Sequence, residues 1–168
     1  MDSTTLRARQ APLKERYRDD PSSARTSLSA TADFSEAGVT CMVSGFAGPV
    51  RAGLHPATGG DGRDACSGDM LVEAVLACAG VTLRSVATAM DLDLGEVHLS
   101  ATASFDARGT LGTDRDAPVG IQDLAIDVRV TGDVDEARLE RLARTTERYC
   151  VVGQSLREPP RIVVRRAS

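Results

Sequence analysis

The segment SGDMLVEAVLACAGVTLRSVATAM, residues 67–90, decides the fold predicted for this chain. It begins with Ser67, a favourable N-cap, and Asp69 places negative charge in the first turn, where the helix dipole favours it. The residues that share the i, i+3, i+4 spacing of one helix face are Leu71, Ala74, Val75, Cys78, Val81, Thr82, Ser85 and Val86. The opposite side is also mostly apolar over Leu76–Val81. A helix that is apolar all round belongs in a core, so we predict a long buried helix that ends near Met90.

Two strands are predicted before this helix. Apolar and polar residues alternate over residues 28–34 and again over 39–43, and the turn-forming residues 35–38 between them favour an antiparallel hairpin. Residues 45–66, which follow, are rich in glycine and polar groups. A structureless stretch of that length in a compact domain is usually a functional loop, and this is our interpretation of it.

Two further strands and a second helix are predicted after the central helix. Alternating residues mark the strands 97–105 and 124–130, with a long loop, residues 106–119, between them. Asp133 and Glu136 resemble a capping box at the start of the second helix. The buried stripe predicted for that helix comprises Leu139, Leu142, Ala143, Thr146, Tyr149 and Cys150.

A helix stop at Pro159-Pro160 and a short strand, residues 162–164, close the chain. The order is therefore β-β-long helix-β-β-helix-β, which predicts an α+β domain with antiparallel sheets packed around the long helix. That helix is longer and more apolar than a chain of 168 residues can easily cover on every side. We therefore expect an obligate homodimer that buries it.

Composition places the chain among ordinary globular proteins and argues against several classes. Apolar residues make up 42% of the chain and charged residues 26%. A net charge of −4 with scattered arginines argues against nucleic-acid or membrane-surface binding. We find no apolar run near the roughly 18 residues that cross a bilayer and no signal peptide in residues 1–20, so we expect a soluble, cytoplasmic protein. Residues 1–24 are predicted to be an appendage with a short helix, Pro12–Arg18, before a domain of residues 25–168.

Four cysteines, at positions 41, 66, 78 and 150, are the candidates for chemistry. Cys78 or Cys150 alone could be an inert core residue, because free cysteine behaves as a small hydrophobe. Together, on the packing stripes of two helices, they could form a disulfide without unfolding either helix. Cys66 precedes Cys78 by about 18 Å of helix, so these two cannot pair. Cys66 is either reactive beside the helix N-terminus or incidental, and Cys41 is interpreted as a core residue.

Other uses of these residue types have weaker support. A zinc site needs closely spaced ligand pairs, and neither the cysteines nor His55 and His98 provide any, so no metal is expected. His98 lies on the polar face of its predicted strand and is interpreted as solvated. His55 either lines a pocket or is an ordinary loop residue. The G-x-S-x-G pattern of hydrolases does not occur.

The segments ACSGDMLVEAVLACAGVTL, residues 65–83, and YCVVGQSL, residues 149–156, resemble the OsmC/Ohr family of thiol peroxidases. That family has a cysteine after a run of small apolar residues in a long central helix. A second cysteine begins a later Cys-Pro-Val-Ser/Thr-x-x-Leu segment. The resemblance covers residues 25–166 and implies the family's α+β fold, in an intertwined homodimer with two active sites at the subunit interface.

The resemblance also implies a chemistry. Cys78 would be the peroxidatic thiolate that attacks an organic hydroperoxide and becomes a sulfenic acid, and Cys150 would resolve it as an intramolecular disulfide. A dithiol reductant, either a lipoyl protein or a thioredoxin-like protein, would then reduce that disulfide. No cofactor is implied, and neither nucleic acid nor a membrane is an expected partner.

Members of that family also use an arginine and a glutamate around the thiolate. Arg51, which precedes the glycine-rich approach to the helix, occupies the comparable place, with Arg25, Arg63 and Arg84 as alternatives. A buried thiol is inert unless a cation offsets the raised pKa that desolvation causes, so the physical requirement agrees with an arginine here.

The chain departs from the family pattern at several positions. Gly68 stands where the glutamate would fall, and Asp69 or Glu73 is the carboxylate that could replace it. Val151 and Gly153 stand where the second segment usually has Pro and Ser/Thr. The departures indicate a divergent branch of the family. Two alternatives therefore stay open: a non-catalytic protein that binds a small apolar ligand, and a peroxide sensor that signals through its disulfide.

Overall fold

The computed structural model, which describes residues 1–167, divides into two compact units. The first comprises residues 1–27, 74–102 and the chain from Ala125 onward, and the second comprises residues 28–73 and 103–124. The helices are α1 (Ser3–Asp19), α2 (Ser67–Ala89), α3 (Ala107–Leu111), α4 (Glu136–Tyr149) and α5 (Val151–Gln154). The strands are β1 (Thr31–Asp33), β2 (Thr40–Gly45), β3 (Gly48–Gly53), β4 (Ala65–Cys66), β5 (Val97–Ser104), β6 (Gln122–Val130) and β7 (Arg161–Arg166). Helices with two sheets make the fold α+β, as predicted.

The sheet of the second unit has the strand order β1-β2-β3-β4. β1 and β2 pair antiparallel, with Thr31 opposite Ser44, so the predicted hairpin is confirmed. Its first strand is shorter than predicted, because Leu28 and Phe34 lie outside β1 and are 91% and 85% exposed. The apolar residues that alternate over 28–34 are therefore not buried within this unit.

Residues 45–66 are not structureless, and that prediction was wrong. β2 turns back into β3 through Gly48, which adopts φ 103°, a backbone conformation that favours glycine. β4 then pairs with β3 in parallel, so the sheets are not purely antiparallel. Sequence reasoning missed β3 because its glycines and Pro49 are typical of turns, whereas the pairing with strands on both sides holds it extended.

The core of the first unit contains the sheet β5-β6-β7 and helix α4, which packs against β7. Ile126, Val128 and Val130 of β6 are at most 1% exposed, and Ile162 and Val164 of the parallel neighbour β7 are buried as well. The buried side chains of α4 are Leu139, Leu142, Ala143 and Thr146. The alternation predicted for β6 and most of the stripe predicted for α4 are therefore confirmed.

The two ends of α4 differ from the prediction. Its N-cap is Asp135, whose carboxylate accepts a hydrogen bond from a first-turn backbone amide at 2.9 Å. Asp133, the predicted cap, instead pairs with Arg166 at 3.0 Å. Tyr149, predicted to be buried, is 59% exposed. Cys150, the last residue of the predicted stripe, is 1% exposed and so is buried as predicted, although the chain leaves the helical conformation there, with φ −73° and ψ 99°.

Helix α2 spans the predicted residues but buries a different stripe. Its buried side chains are spaced by four residues: Val75, Ala79, Leu83 and Ala87. Val81, placed on the buried stripe by its spacing, is 73% exposed, so the chain by itself does not cover the whole apolar circumference of α2. By length and composition α2 could cross a membrane, although the core helix of a soluble protein passes the same test. Glu73 and Arg84 interrupt this helix, so its uncharged run covers only residues 74–83, in line with the expectation that no apolar run reaches about 18 residues.

The N-terminal helix is longer than predicted. α1 has 17 residues, whereas the prediction covered only Pro12–Arg18. Asp2 caps the helix, its carboxylate accepting a hydrogen bond from a first-turn amide at 2.7 Å, and Pro12 lies inside the helix. Arg7 donates a hydrogen bond to the carbonyl oxygen of Ala89 at 3.3 Å, which ties α1 to the carboxyl end of α2.

The predicted loop over residues 106–119 contains the short helix α3. Asp106 caps this helix and forms a 2.6 Å ion pair with Arg108, which also contacts Asp114 at 3.2 Å. The hydrogen bond from Arg108 holds the pKa of the Asp106 carboxyl below its usual range. Local hydrogen bonds of this kind give the connection a defined shape.

Truncating the core of the first unit tests this packing. Leu142 is fully buried on α4, so we expect Leu142→Ala to lower the free energy of unfolding by about 2–5 kcal/mol, through lost apolar burial and the cavity left behind. Leu111→Ala on α3 is the matched control, because Leu111 is 56% exposed, and it should have a much smaller effect. Urea denaturation followed by circular dichroism measures both variants. Equal effects would contradict the core described here.

Candidate functional site

Cys78 and Cys150 lie together in the first unit. Cys78 is half-buried in the middle of α2, and Cys150 is 1% exposed at the junction of α4 and α5. The two thiols lie close enough for each to shift the pKa of the other, and both cysteines are free rather than joined in a disulfide. The fold therefore builds a dithiol from two distant parts of the sequence.

The turn between α4 and β7 holds Cys150. α5 begins directly after Cys150, whose sulfur accepts a hydrogen bond from the Gly153 amide at 3.4 Å. A Cβ atom at position 153 would lie 3.2 Å from that sulfur and 3.3 Å from Cδ of Pro160, closer than ordinary contacts. Glycine at this position lets the turn close on the sulfur, which gives a physical reason for its departure from the Ser/Thr pattern.

The surroundings of Cys78 favour its thiolate form. Burial by itself would raise the pKa of this thiol. The backbone amide of Val152 and the thiol of Cys150 oppose that effect most strongly, and the Thr82 hydroxyl and the Val151 amide add to them. Together these hydrogen bonds hold the pKa of Cys78 below that of an ordinary thiol.

The pKa of Cys150 moves in the opposite direction. Burial raises the pKa of this thiol, and although the Gly153 amide opposes the rise, the hydrogen bond and the charge of Cys78 add to it. Because the thiolate is the nucleophilic form of cysteine, Cys78 is the group equipped to attack, and Cys150 stays protonated beside it. A dithiol of this kind can close into a disulfide once the first sulfur has been oxidised.

Arg51 lies in the second unit, on β3. Its Nε is 3.4 Å from Oδ1 of Asp64, and its Nη2 donates to the carbonyl oxygen of Ala37 at 3.4 Å. The groups that lower the pKa of Cys78 are uncharged and belong to the first unit. Hydrogen bonds thus supply stabilisation that the sequence argument assigned to a cation.

The carboxylate beside Arg51 is Asp64, which sequence reasoning did not single out. The Asp64 side chain is 16% exposed, whereas Asp69 and Glu73 are exposed on the first turns of α2. A Cβ atom at Gly68 would make only ordinary contacts, so packing does not require glycine there. The pairing of Arg51 with Asp64 follows from the parallel pairing of β3 with the strand that Asp64 precedes, and no helix or strand period predicts it.

Sequence reasoning also missed the hydrogen-bond donors around Cys78. Thr82 follows Cys78 by four residues, a spacing that places two side chains on one helix face, so a signal was available. The amides of Val151 and Val152 cannot be recognised as donors from the sequence, because every residue except proline has an N–H. Val151 occupies the place where the resembling family has proline, and its amide is a donor that proline lacks.

Cys41 and Cys66 cannot form a second disulfide. They lie on β2 and β4, which β3 separates, so their backbones are about 9.5 Å apart, whereas a disulfide needs Cα atoms within about 7 Å. Both are half-buried, so Cys41 is less buried than its interpretation as a core residue implied.

The two histidines have different surroundings. Nδ1 of His55 accepts a hydrogen bond from the Ala57 amide at 3.0 Å, and the ring meets Phe105 edge-on at 5.3 Å. His55 thus caps a turn and packs against an aromatic ring, while His98 is exposed on β5 as predicted. Among residues 1–167, no group of three or more His, Cys, Asp or Glu side chains is placed to hold a metal ion.

Two open cavities lie in the second unit. One, of about 360 Å³, is lined by the Arg51–Asp64 pair and by glycine-rich backbone. The other, of about 590 Å³, has a mostly apolar lining that includes Phe34, Val39 and Val43. The second has the chemistry to accept an apolar ligand.

Comparison with known proteins finds one matching protein family. A sequence profile of the family described as OsmC-like protein matches residues 60–165. No curated protein has a significant sequence match to the chain.

Solved structures share the fold over most of the chain. An organic hydroperoxide resistance protein from Elizabethkingia anophelis has a TM-score of 0.68 at 15% identity, covering 86% of this chain and 99% of its own. The organic hydroperoxide resistance protein OsmC from Legionella pneumophila has a TM-score of 0.66 at 17% identity, with coverage of 86% and 99%. The organic hydroperoxide resistance protein OhrB of Bacillus subtilis has a TM-score of 0.58 at 15% identity, with coverage of 84% and 98%. At these identities the likeness establishes the fold.

Removing the Thr82 hydroxyl tests its role at the thiolate. Thr82→Val keeps the shape of the side chain but loses the O–H donor, so the pKa of Cys78 should rise. The rate at which iodoacetamide alkylates Cys78, measured against pH by peptide mass spectrometry, should then have its inflection at higher pH.

Thr88→Val on the same helix is the matched control for this measurement. Its hydroxyl donates to the Arg84 carbonyl oxygen at 2.8 Å, so its loss should leave the Cys78 profile unchanged. An unshifted profile in Thr82→Val would contradict a hydrogen bond from this hydroxyl to the sulfur.

Proposed function

This chain belongs to the OsmC-like protein family, and we propose that it is a cysteine-based peroxidase that reduces organic hydroperoxides. Similar structures named as organic hydroperoxide resistance proteins support a peroxide-related redox role. The observation that carries the finer proposal is the Cys78–Cys150 dithiol, in which the two thiols have pKa values shifted in opposite directions.

In the first step the Cys78 thiolate attacks one oxygen of the hydroperoxide. The O–O bond breaks, the alkoxide takes a proton from solvent and leaves as the alcohol, and Cys78 becomes a sulfenic acid. The amides of Val151 and Val152 and the Thr82 hydroxyl hold the attacking sulfur as the thiolate. A positioned thiolate supplies both the electrons and the nucleophile that this step needs.

In the second step Cys150 resolves the sulfenic acid. The S–O bond of Cys78 breaks, the S–S bond forms, and water leaves with the proton of Cys150. The negative charge of Cys78 is one cause of the raised pKa of Cys150, and the sulfenic acid is neutral. Oxidation of the first sulfur therefore makes the second easier to ionise at the moment when it must attack. A dithiol reductant then returns both cysteines to thiols and becomes a disulfide itself.

Two charged groups are also part of the proposal. We assign Arg51 and Asp69 the task of orienting the peroxide, as the family resemblance implies. The support for Arg51 is its fixed position against Asp64, and the support for Asp69 is its charge in the first turn of α2.

A homodimer is part of the proposal. The support is apolar surface that the chain does not cover by itself, including Val81 on α2 and Phe46 at the tip of the β2–β3 hairpin. A cytoplasmic location and a lipoyl or thioredoxin-like reductant complete it.

A non-catalytic binding protein is the second candidate function. The open, mostly apolar cavity of about 590 Å³ in the second unit favours it, since a small apolar ligand fits such a lining. A peroxide sensor would use the same dithiol chemistry and differ in passing its disulfide to a protein partner. Thiol oxidation by hydroperoxide separates the binding protein from the other two.

Counting thiols after peroxide treatment tests the peroxidase. The reduced protein treated with cumene hydroperoxide should lose two thiols per chain in the dithionitrobenzoate assay, because Cys78 and Cys150 form a disulfide. Cys78→Ser should lose none. Cys150→Ser should lose one and hold a sulfenic acid that dimedone traps, since the resolving thiol is absent.

Cys66→Ser is the matched control for the thiol count. Cys66 is a half-buried thiol outside the dithiol, so its replacement should leave the loss at two thiols per chain. A wild-type protein that keeps all its thiols would exclude the peroxidase and favour the binding protein.

A further inference from the structure

Glu147 lies half-buried in the last turn of α4, three residues before Cys150. A helix dipole disfavours negative charge at its carboxyl end, so helix stability does not account for a carboxylate in this place. Its Oε1 accepts a hydrogen bond from the backbone amide of Ile162 at 2.7 Å. A charged acceptor at this distance makes a strong hydrogen bond, and it joins the end of α4 to the start of β7.

The backbone of Glu147 makes a second connection. Its carbonyl oxygen accepts a hydrogen bond from Nε2 of Gln154 at 2.8 Å, which ties the end of α5 to α4. Gly153 packs between the sulfur of Cys150 and the buried Pro160. The turn that carries Cys150 is thus held by its contacts with α4, by the hydrogen bond between α4 and β7, and by the packing of Gly153 against the sulfur of Cys150.

The same turn presents the amides that meet Cys78. Val151 and Val152 form the first half of α5, a helix of four residues that is too short to be stable by itself. Its orientation therefore depends on the contacts that hold it. The titratable group that faces Cys78 from this turn is Cys150, and the α2 residue that contacts the sulfur is the uncharged Thr82.

We propose that Glu147 is a positioning residue that holds the turn of Cys150 so that the amides of Val151 and Val152 point at the sulfur of Cys78. Without its carboxylate, the end of α4 loses its hydrogen bond to the start of β7, so the turn between them is held less firmly and the amides lose their alignment. The inference rests on the proposed function in that Cys78 is the attacking group. Its test requires no peroxide.

The test is the pH dependence of Cys78 alkylation by iodoacetamide, followed by peptide mass spectrometry. In Glu147→Ala the inflection should move upward by roughly half a unit or more, because the thiolate loses hydrogen bonds. Glu147→Gln should stay close to wild type, since its amide oxygen still accepts from Ile162. Glu140→Ala is the matched control, an exposed glutamate on the same helix that pairs with Arg144, and should not shift.

Three results would overturn the proposal. One is a folded Glu147→Ala protein with the wild-type profile. Another is a downward shift, which would mean that Glu147 acts on the thiolate as a negative charge. A third is a Glu147→Gln protein that shifts as far as Glu147→Ala, since the hydrogen-bond acceptor is kept there.

A second variant decides the matter if circular dichroism shows that Glu147→Ala does not fold. Gln154→Ala removes the other connection of the same turn and should also raise the inflection, whereas an unchanged profile would count against the proposal. Thiol loss with cumene hydroperoxide is measured separately on each variant. A wild-type protein that does not react with peroxide but shows the expected alkylation shifts would refute the peroxidase and leave the positioning role intact.

Discussion

The rest of this structure depends on one constraint: a cysteine sulfur that is partly withdrawn from water must still be able to ionise. Burial removes the solvent that stabilises a thiolate, so the protein must replace that solvent with groups of its own. Around Cys78 these groups are two backbone amides, a hydroxyl and the thiol of Cys150, all of them uncharged. Neutral donors stabilise the thiolate without the desolvation penalty that a buried counter-ion would add.

The donors come from a turn whose place is determined by packing rather than by its own stability. α5 has four residues, and it lies between α4 and β7, which pack against each other in the core of the first unit. Gly153 allows close approach to the sulfur of Cys150, and Glu147 connects both flanking elements. The core of the first unit and the dithiol are therefore neighbouring parts of one structure, and in our proposal the packing of α4 against β7 controls the surroundings of Cys78.

Local patterns predicted the parts of the fold that local physics determines. The long helix from Ser67 and the alternation of β6 follow from capping and from hydrophobic periodicity, which act over a few residues. β3 and the full length of α1 were missed, because Pro49 and Pro12 are signals for turns and helix starts that the surrounding contacts override. The N-cap of α4 was missed for a similar reason. Asp133 and Asp135 are two residues apart, and the local pattern does not decide which of them caps the helix.

The sequence by itself determined the fold class, the long central helix, the family and the two cysteines that form the dithiol. Only the tertiary structure decided which stripe of α2 is buried, which carboxylate accompanies Arg51 and which groups meet the Cys78 sulfur. The reason is physical. Side-chain periodicity can be read directly from the sequence. Backbone amides are alike at every residue except proline, so only folding determines where they point.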